Sequence, residues 1–214
     1  MKKLINIVLF MSLSLVADNE ISVTQSGNSA AIDLEQLGSS NLIGGTSAET
    51  GSMTALDLDG VSMILDINQI GSSNVFRSDA IDGDNFTGFF EFTGDSNVFD
   101  ILMDSTGLID SDYVNLNINV TGSSNTFDLA IAEDDDASYL DLDWIITGGS
   151  NDFDFDIDYA NAINYVDVNG SSNTLNFSGS GYAGNTSSDS GYFYLDLDGS
   201  SNTIDVTQSS TLAR

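Results

Sequence analysis

Residues 122–127 read Gly-Ser-Ser-Asn-Thr-Phe, and this turn motif, Gly-x-x-Asn with a large apolar residue two positions later, recurs along the chain. Its seven copies are at Gly38 and Asn41, Gly71 and Asn74, Gly94 and Asn97, Gly122 and Asn125, Gly148 and Asn151, Gly170 and Asn173, and Gly199 and Asn202. A turn that recurs with a fixed apolar neighbour indicates that one supersecondary unit is repeated.

Apolar and polar side chains alternate on both sides of each turn. Residues 116–120 read Leu-Asn-Ile-Asn-Val, and residues 152–157 read Asp-Phe-Asp-Phe-Asp-Ile. This period of two is the signature of a β-strand, whereas a helix would scatter the apolar residues around its circumference. The sequence therefore predicts a strand before and after every Gly-x-x-Asn turn.

A second series of turns lies between these motifs, since Gly27, Gly60 and Gly83 each precede a motif glycine by eleven residues. One repeat is therefore a strand, a Gly-x-x-Asn turn, a strand and a variable turn. A two-strand unit cannot bury its apolar face alone, but stacked units can. The sequence predicts an all-β fold, a parallel β-solenoid of about seven strand-turn-strand rungs with apolar ladders inside.

Turn chemistry fits this fold, because tight corners need positive φ, which glycine adopts freely and asparagine tolerates. The absence of proline suits strands that must all donate hydrogen bonds to their neighbours. An antiparallel β-sandwich is the competing fold. It accounts for the alternation but not for the fixed register around the turn.

The first 17 residues have the features of a secretory signal peptide. Lys2 and Lys3 precede an apolar stretch over residues 4–16, and Ala17 precedes a polar junction. The stretch is too short for a transmembrane helix, although a buried N-terminal helix is an alternative. We expect residues 1–17 to be removed and residues 18–214 to form one solenoid domain of a secreted, cell-surface protein.

The chain is strongly acidic, with 33 Asp and Glu against four Lys and Arg. Loss of the two leader lysines would take the formal charge from −29 to −31. Such a surface repels nucleic acid and anionic lipid, so we expect no nucleic-acid partner and no stable membrane span. Disorder is disfavoured by the 41% hydrophobic content and its strict patterning.

Glutamine occupies fixed positions around some turns. Gln-x-Gly-x-x-Asn is complete in residues 36–41 and 69–74, residues 25–28 read Gln-Ser-Gly-Asn, and a glutamine follows the last turn asparagine by six residues. The pattern resembles the curlin repeat of bacterial curli subunits, Ser-x5-Gln-x-Gly-x-x-Asn-x-Ala-x3-Gln. By this resemblance the ladder residues are the seven turn asparagines with Gln25, Asn28, Gln36, Gln69 and Gln208.

The resemblance covers nearly the whole of residues 18–214 in period and turn, but the glutamines only in the first third and the last strand. Phe92, Val120, Ile146, Val168 and Leu197 stand where the other motifs would have glutamine. The resemblance implies secretion through a dedicated outer-membrane apparatus and head-to-tail assembly into functional-amyloid fibres for adhesion and biofilm. Open strand edges at the ends of a solenoid favour the same assembly. A soluble monomeric solenoid adhesin is the alternative.

Aspartate fills the outward positions, and in a stack these carboxylates would align at the rung spacing. A solvated face is one interpretation, and Ca²⁺ binding is the other, because Ca²⁺ prefers clustered carboxylate oxygens. The candidate ligands are Glu133, Asp134, Asp135 and Asp136. We hypothesise that Ca²⁺ or high salt promotes assembly by screening this charge; fibre growth indifferent to both would contradict this. No other cofactor is expected.

Two other functions are weighed against these. The chain has no His or Cys for acid–base or nucleophilic chemistry, and Arg77 is its only basic residue between the leader and Arg214. We therefore expect no enzymatic activity. An ice-binding face is the second alternative, because threonine precedes three consecutive turn glycines, at Thr93, Thr121 and Thr147.

Overall fold

The structure is a computed structural model that describes residues 20–21, 23–44, 56–103, 112–131, 137–160, 162–180 and 192–208. These residues form 18 β-strands and no helix. The strands are β1 (Glu20–Ile21), β2 (Thr24–Ser26), β3 (Ala31–Leu37), β4 (Leu42–Ile43), β5 (Leu56–Asp59), β6 (Ile64–Ile70), β7 (Val75–Asp82), β8 (Thr87–Thr93), β9 (Val98–Met103), β10 (Val114–Thr121), β11 (Thr126–Ile131), β12 (Ala137–Ser138), β13 (Leu140–Thr147), β14 (Asp152–Ala160), β15 (Ile163–Asn169), β16 (Thr174–Ser180), β17 (Tyr192–Asp198) and β18 (Thr203–Gln208).

The strands form two sheets in which all pairing is parallel. The seven-stranded sheet has the order β17-β15-β13-β10-β8-β6-β3. The eleven-stranded sheet has the main order β1-β4-β7-β9-β11-β14-β16-β18. Outside this order, β2 pairs with β5, β5 also pairs with β7, and β12 pairs with β14. The predicted parallel β-solenoid is confirmed. The antiparallel sandwich is excluded for the described strands, because each pairs in parallel with a strand one rung away.

A rung consists of one strand from each sheet joined by a Gly-x-x-Asn corner. Five rungs have a neighbouring strand on both sides in both sheets: β6–β7, β8–β9, β10–β11, β13–β14 and β15–β16. The number of enclosed turns, about five, is slightly smaller than the about seven rungs predicted. The difference arises because β3–β4 and β17–β18 lie at the ends, where one side of the rung has no full neighbour.

Register between rungs places like residues over each other, with the predicted apolar residues inside. Phe99, Phe127 and Phe153 are Cα partners in successive rungs, and each is at most 1% exposed. On the opposite sheet Ile118 lies in register with Trp144, and both are fully buried. Complete burial of one such side chain contributes about 1.5–3 kcal/mol. The core is therefore a set of columns. Each inward position of the strand forms one column, and each rung adds one side chain to it.

The Gly-x-x-Asn corners stack in register, and their backbone differs in one respect from the sequence prediction. Six of the seven motif glycines have φ between 131° and 146°, as expected. The asparagines do not have positive φ, so that prediction is wrong. The third residue of the motif has it instead; in every motif this residue is serine, for example Ser124 with a φ of 60°. The left-handed serine reverses the chain, and the asparagine after it turns inward.

Gly122 illustrates why the corner requires glycine. Its φ is 144°, and a Cβ on it would overlap the carbonyl oxygen of Gly94 in the preceding corner. The backbone N–H of Gly122 in turn donates to the carbonyl of Thr147 in the following rung at 2.8 Å. Any side chain at this position would therefore push two rungs apart.

We expect Gly122→Ala to lower the free energy of unfolding by about 1–3 kcal/mol more than Gly27→Ala does, since overpacking in a close-packed site costs that much. Gly27 is the matched control. Its φ is 119°, but nothing lies within 4 Å of a Cβ built on it, so both variants share the backbone cost and only one has the clash. Urea unfolding followed by circular dichroism measures the difference, and equal losses would contradict the close-approach explanation.

Candidate functional site

Six of the seven motif asparagines are buried under the corner, and Asn202 in the last rung is half-buried. Their exposed fractions are 1% for Asn41, 0% for Asn74, 2% for Asn97, 1% for Asn125, 1% for Asn151 and 3% for Asn173. A buried amide must find hydrogen-bond partners, because an unpaired one costs free energy. The neighbouring rungs supply them for the side-chain oxygens of the asparagines from Asn74 to Asn202.

The asparagines form one continuous ladder along the corner. The backbone N–H of each donates to the side-chain Oδ1 of the asparagine in the next rung toward the C-terminus. The distances are 3.0 Å for Asn41 to Asn74, 2.8 Å for Asn74 to Asn97, 2.9 Å for Asn97 to Asn125, 2.9 Å for Asn125 to Asn151, 2.9 Å for Asn151 to Asn173 and 2.8 Å for Asn173 to Asn202. All six hydrogen bonds point the same way, so the ladder has a direction.

The side-chain amide nitrogen adds a second hydrogen bond in the C-terminal half. Nδ2 of Asn173 donates to the carbonyl of Gly148 at 3.0 Å, and Nδ2 of Asn202 donates to that of Gly170 at 2.9 Å. One side chain thus accepts through its oxygen and donates through its nitrogen. Leucine offers neither group and ionised aspartate has no donor. Nδ2 of Asn41, Asn74 and Asn125 is buried without a hydrogen-bond partner, so the Oδ1 acceptor is the contact that the motif asparagines from Asn74 to Asn202 share.

The glutamine ladder is much shorter than the asparagine ladder. Nε2 of Gln69 donates to Oε1 of Gln36 at 2.9 Å, and both side chains are buried. In the next rung Phe92 occupies this column. Gln208 is exposed in the last strand and lies apart from the other two. The side chain of Gln25 lies outside the described residues.

Asn28 also lies outside the buried ladder. It is exposed at a corner of the other series, where its Oδ1 accepts a hydrogen bond from the backbone N–H of Val61 at 3.1 Å. The structure therefore joins two of the predicted glutamines and all seven motif asparagines, but not Asn28.

Stacked aromatic rings fill the centre of the solenoid. The Phe92 and Phe99 ring centroids are 3.8 Å apart, those of Phe99 and Phe127 are 4.5 Å apart, and those of Phe127 and Phe153 are 4.9 Å apart. Pairs of this kind contribute about 0.5–1.5 kcal/mol beyond the area they bury. Of these four rings, Phe92 lies in the glutamine column, whereas Phe99, Phe127 and Phe153 form a facing column on the eleven-stranded sheet, so packing between the two columns does not depend on amide pairing there.

A row of carboxylates crosses the outer surface of the eleven-stranded sheet. Asp100, Asp128 and Asp154 are Cα partners on successive strands, and all three are exposed. Arg77 precedes the row, with its Nε 3.8 Å from Oδ2 of Asp100. Partial removal from water raises the pKa of Asp128, and the charges of Asp100 and Asp154 raise it further.

A second acidic group lies on the seven-stranded sheet. Burial raises the pKa of Asp143, and Asp141 and then Asp167 add to the effect. No group of three or more Asp, Glu, His or Cys in the described ranges is arranged to hold a metal ion. The predicted ligands Glu133, Asp134, Asp135 and Asp136 lie outside the described residues.

The threonines considered for ice binding do align. Thr93, Thr121 and Thr147 are Cα partners on β8, β10 and β13. The row continues with Asn169 and Asp198. The threonine part of the row is therefore three rungs long. Asn169 and Asp198 end it, so this edge does not present a uniform row of hydroxyl groups.

The C-terminal end of the stack exposes core positions. Leu197 and Val206 occupy inward columns, above Val168 and Phe177, yet they are 41% and 39% exposed. Within the described residues no strand pairs with the outer edge of β17 or β18. The sequence pattern did not distinguish these side chains from buried ones, because their exposure follows only from their place in the last rung.

The N-terminal end is stepped. On the seven-stranded sheet β3 is the outermost strand, and its inward residues Ile32 and Leu34 are only partly buried. On the eleven-stranded sheet the short strands β1 and β2 lie over β4 and β5. The ends of the solenoid therefore differ in shape and in composition.

Comparison with known proteins leaves the curlin resemblance as a prediction. No family model, no curated protein and no solved structure matches the chain. Among the described residues, no helix is long and apolar enough to cross a membrane.

We expect Asn125→Leu to lower the free energy of unfolding by about 1–3 kcal/mol, because it leaves the buried N–H of Asn97 without its acceptor. Asn28→Leu is the matched control. It removes the same kind of hydrogen bond, but at an exposed corner where water replaces the acceptor, so we expect less than about 0.5 kcal/mol. Urea unfolding measures both, and similar losses would show that the buried ladder adds nothing.

We expect the acidic row to make stability depend on pH. The pKa of Asp128 is raised in the folded chain above its ordinary value of 3.8, so the folded state binds this proton more tightly than the unfolded state. Its destabilising contribution is present above the folded pKa and disappears as the pH falls to 3.8. Asp128 therefore makes stability rise as the solution is acidified through this window.

Asp128→Asn should stabilise the chain at neutral pH by less than about 1 kcal/mol, because exposed charges are screened, and should flatten this pH dependence. Thermal unfolding across the acidic range measures both effects. Asp205→Asn is the control, since the in-register neighbour of Asp205 is the neutral Asn176. An unchanged pH profile for Asp128→Asn would refute the electrostatic origin.

Proposed function

We propose that the chain is a secreted structural protein, a curli-like subunit that stacks head to tail into an extracellular functional-amyloid fibre for cell adhesion and biofilm matrix. The observation that supports this most strongly is the open C-terminal end, where Leu197 and Val206 continue the core columns into solvent. A second copy stacked on this end would bury them. An exposed apolar patch bordered by polar residues is the usual mark of such an interface.

Backbone hydrogen bonding favours the same partner. The outer edges of β17 and β18 present a rung's width of N–H and C=O groups to which no described strand is paired. Unpaired strand edges are templates for pairing with another chain. Because the two ends of this solenoid are unlike, stacking one on the other does not close a ring and produces a filament.

The direction of the asparagine ladder fits polar growth. Each rung donates its N–H toward the C-terminal end, so a copy added there would extend the ladder in the same sense. Such a hydrogen bond contributes about 0.5–1.5 kcal/mol net. The interface would thus repeat contacts already made at every internal rung.

Export and solubility complete the proposal. Residues 1–17 would direct secretion, an outer-membrane apparatus would release the chain, and the high negative charge would keep single subunits apart until salt screens it. The described surface offers carboxylates, amides and hydroxyls, and among the described residues Arg77, at one end of the acidic row, is the one basic residue. We propose a structural role and no catalysis.

The first test is assembly of purified residues 18–214. We expect thioflavin-positive fibres with a meridional cross-β reflection at about 4.7–4.8 Å, the spacing of hydrogen-bonded strands. Electron microscopy and fibre diffraction give the result. A stable monomer at high salt and high concentration would contradict the fibre and favour the soluble adhesin.

Substitutions at the C-terminal end test the interface. We expect Leu197→Asp to slow elongation from preformed seeds at least about tenfold, because a carboxylate would be enclosed between apolar columns. Ile70→Asp is the matched control, since Ile70 is 39% exposed against 41% for Leu197 but points outward from an internal strand. Equal rates for the two variants would rule out stacking through this end.

A further inference from the structure

The described coil contains an odd number of half-rungs. The seven-stranded sheet has seven strands along its stack, whereas the eleven-stranded sheet has eight levels, once β1 with β2, β4 with β5, and β11 with β12 are each counted as one. The extra level is β1 and β2, here called the N-terminal half-rung. Between residues 20 and 208 the coil therefore begins and ends on the same sheet.

This odd count affects stacking between copies. After β18, a continuous coil would place its next strand on the seven-stranded sheet, above β17. A second copy that keeps its N-terminal half-rung instead presents a strand of the eleven-stranded sheet first. On the seven-stranded sheet, the level above β17 would then contain no strand. The backbone N–H and C=O groups along the outer edge of β17 would therefore have no partners.

Removing the half-rung from the end of the stack restores the match. The second copy would then begin with β3, and the coil would continue with β4 and β5. Following the columns through every rung places Leu195 beneath Leu34 of the next copy, and Ile204 beneath Ile43. At the corner, the N–H of Asn202 would meet the column that begins with Asn41.

The half-rung is held more weakly than the other levels. β1 has two residues and β2 has three, whereas β17 and β18 have seven and six. Ile21 and Val23 are only partly buried, although Ile43, the partner of Ile21, and Leu56, which the β2–β5 register places beside Val23, are fully buried. Beyond the β1–β4 and β2–β5 pairing, backbone hydrogen bonds run from the N–H of Gly44 to the carbonyl of Ile21 at 2.8 Å, from that of Asp57 to that of Val23 at 3.1 Å and, at the corner, from that of Gly27 to that of Asp59 at 2.8 Å.

We infer that the N-terminal half-rung is a displaceable cap that covers the β4–β5 edge in the single subunit and leaves it when the C-terminal end of another copy stacks there. The occupant of the uncovered edge is β18 of the copy whose C-terminal end stacks there, with β17 of that copy on β3. This inference rests on the proposed fibre and adds to it a structural gate. Because only subunits with an open cap could accept another copy, the elongation rate would be proportional to the fraction of time that the cap is open.

A reversible crosslink tests the cap in residues 18–214. Thr24 and Asp57 are Cα partners on β2 and β5, and both point outward. The distance between directly paired strand positions suits a disulfide, and the natural chain has no cysteine to interfere. We expect oxidised Thr24→Cys/Asp57→Cys to elongate at least about tenfold more slowly than its reduced form, because the locked cap removes the competent state.

The control is Asp128→Cys/Asp154→Cys, a paired outward site on β11 and β14 in the middle of the stack. Its elongation should be the same when oxidised and reduced. Equal rates for the oxidised and reduced cap variant would overturn the cap while leaving the fibre proposal intact. Absence of fibres from the unsubstituted chain and from both variants would overturn the fibre proposal, and the cap with it.

Hydrogen exchange supplies a measurement that does not depend on fibres. In the single subunit, the amides of Gly44 and Asp57 should exchange at least about tenfold faster than that of Thr126, which donates to Asn97 in an internal rung at 3.0 Å, because a weakly held element opens locally. Oxidation of the cap variant should remove the difference at Gly44, whose residue is unchanged in that variant. Equal protection in the unsubstituted chain would contradict a displaceable half-rung.

Discussion

The close approach of successive Gly-x-x-Asn corners is the constraint on which the other features depend. A corner glycine leaves room for the carbonyl of the corner before it, and that approach brings each asparagine within 2.8–3.0 Å of its neighbour's N–H. Any Cβ at the glycine would separate the corners and break the ladder with them. Glycine and asparagine are therefore required together at each corner, whereas the strands between corners need only the correct alternation.

This constraint explains which parts of the structure the sequence could predict. The corners, the parallel stacking and the inward columns follow from residue types that recur at fixed spacing, so Phe127 and Ile118 could be placed in the core without coordinates. The left-handed serine could not be predicted, because serine has no strong preference for that conformation and the corner imposes it. The N-terminal half-rung has no Gly-x-x-Asn motif, and only pairing with β4 and β5 shows it.

The glutamine column shows why the candidate site was predicted only in part. A glutamine column requires an amide above and below each member, and Gln69 meets Phe92 on one side. Once one rung carries an aromatic ring in this column, an amide in the next rung would lack a partner on that side, so the column favours apolar residues in the rungs that follow. Val120 and Ile146 satisfy this condition. The change from amides to an apolar column is thus cooperative along the stack, and a position-by-position comparison with a repeat pattern does not reveal it.

Attraction along the ladders and repulsion along the acidic rows act over the same rung spacing, and the solenoid balances the two. Carboxylates at about 4–5 Å repel by roughly 1 kcal/mol per pair in water, which is similar to the net gain from one asparagine hydrogen bond. At internal rungs, burial of the apolar columns adds further stabilisation, so attraction exceeds the repulsion between carboxylates. At an end, where Leu197 and Val206 have no described neighbour above them, the balance is closer. Small changes in salt or in the position of the half-rung would therefore act on the ends long before they affect the interior.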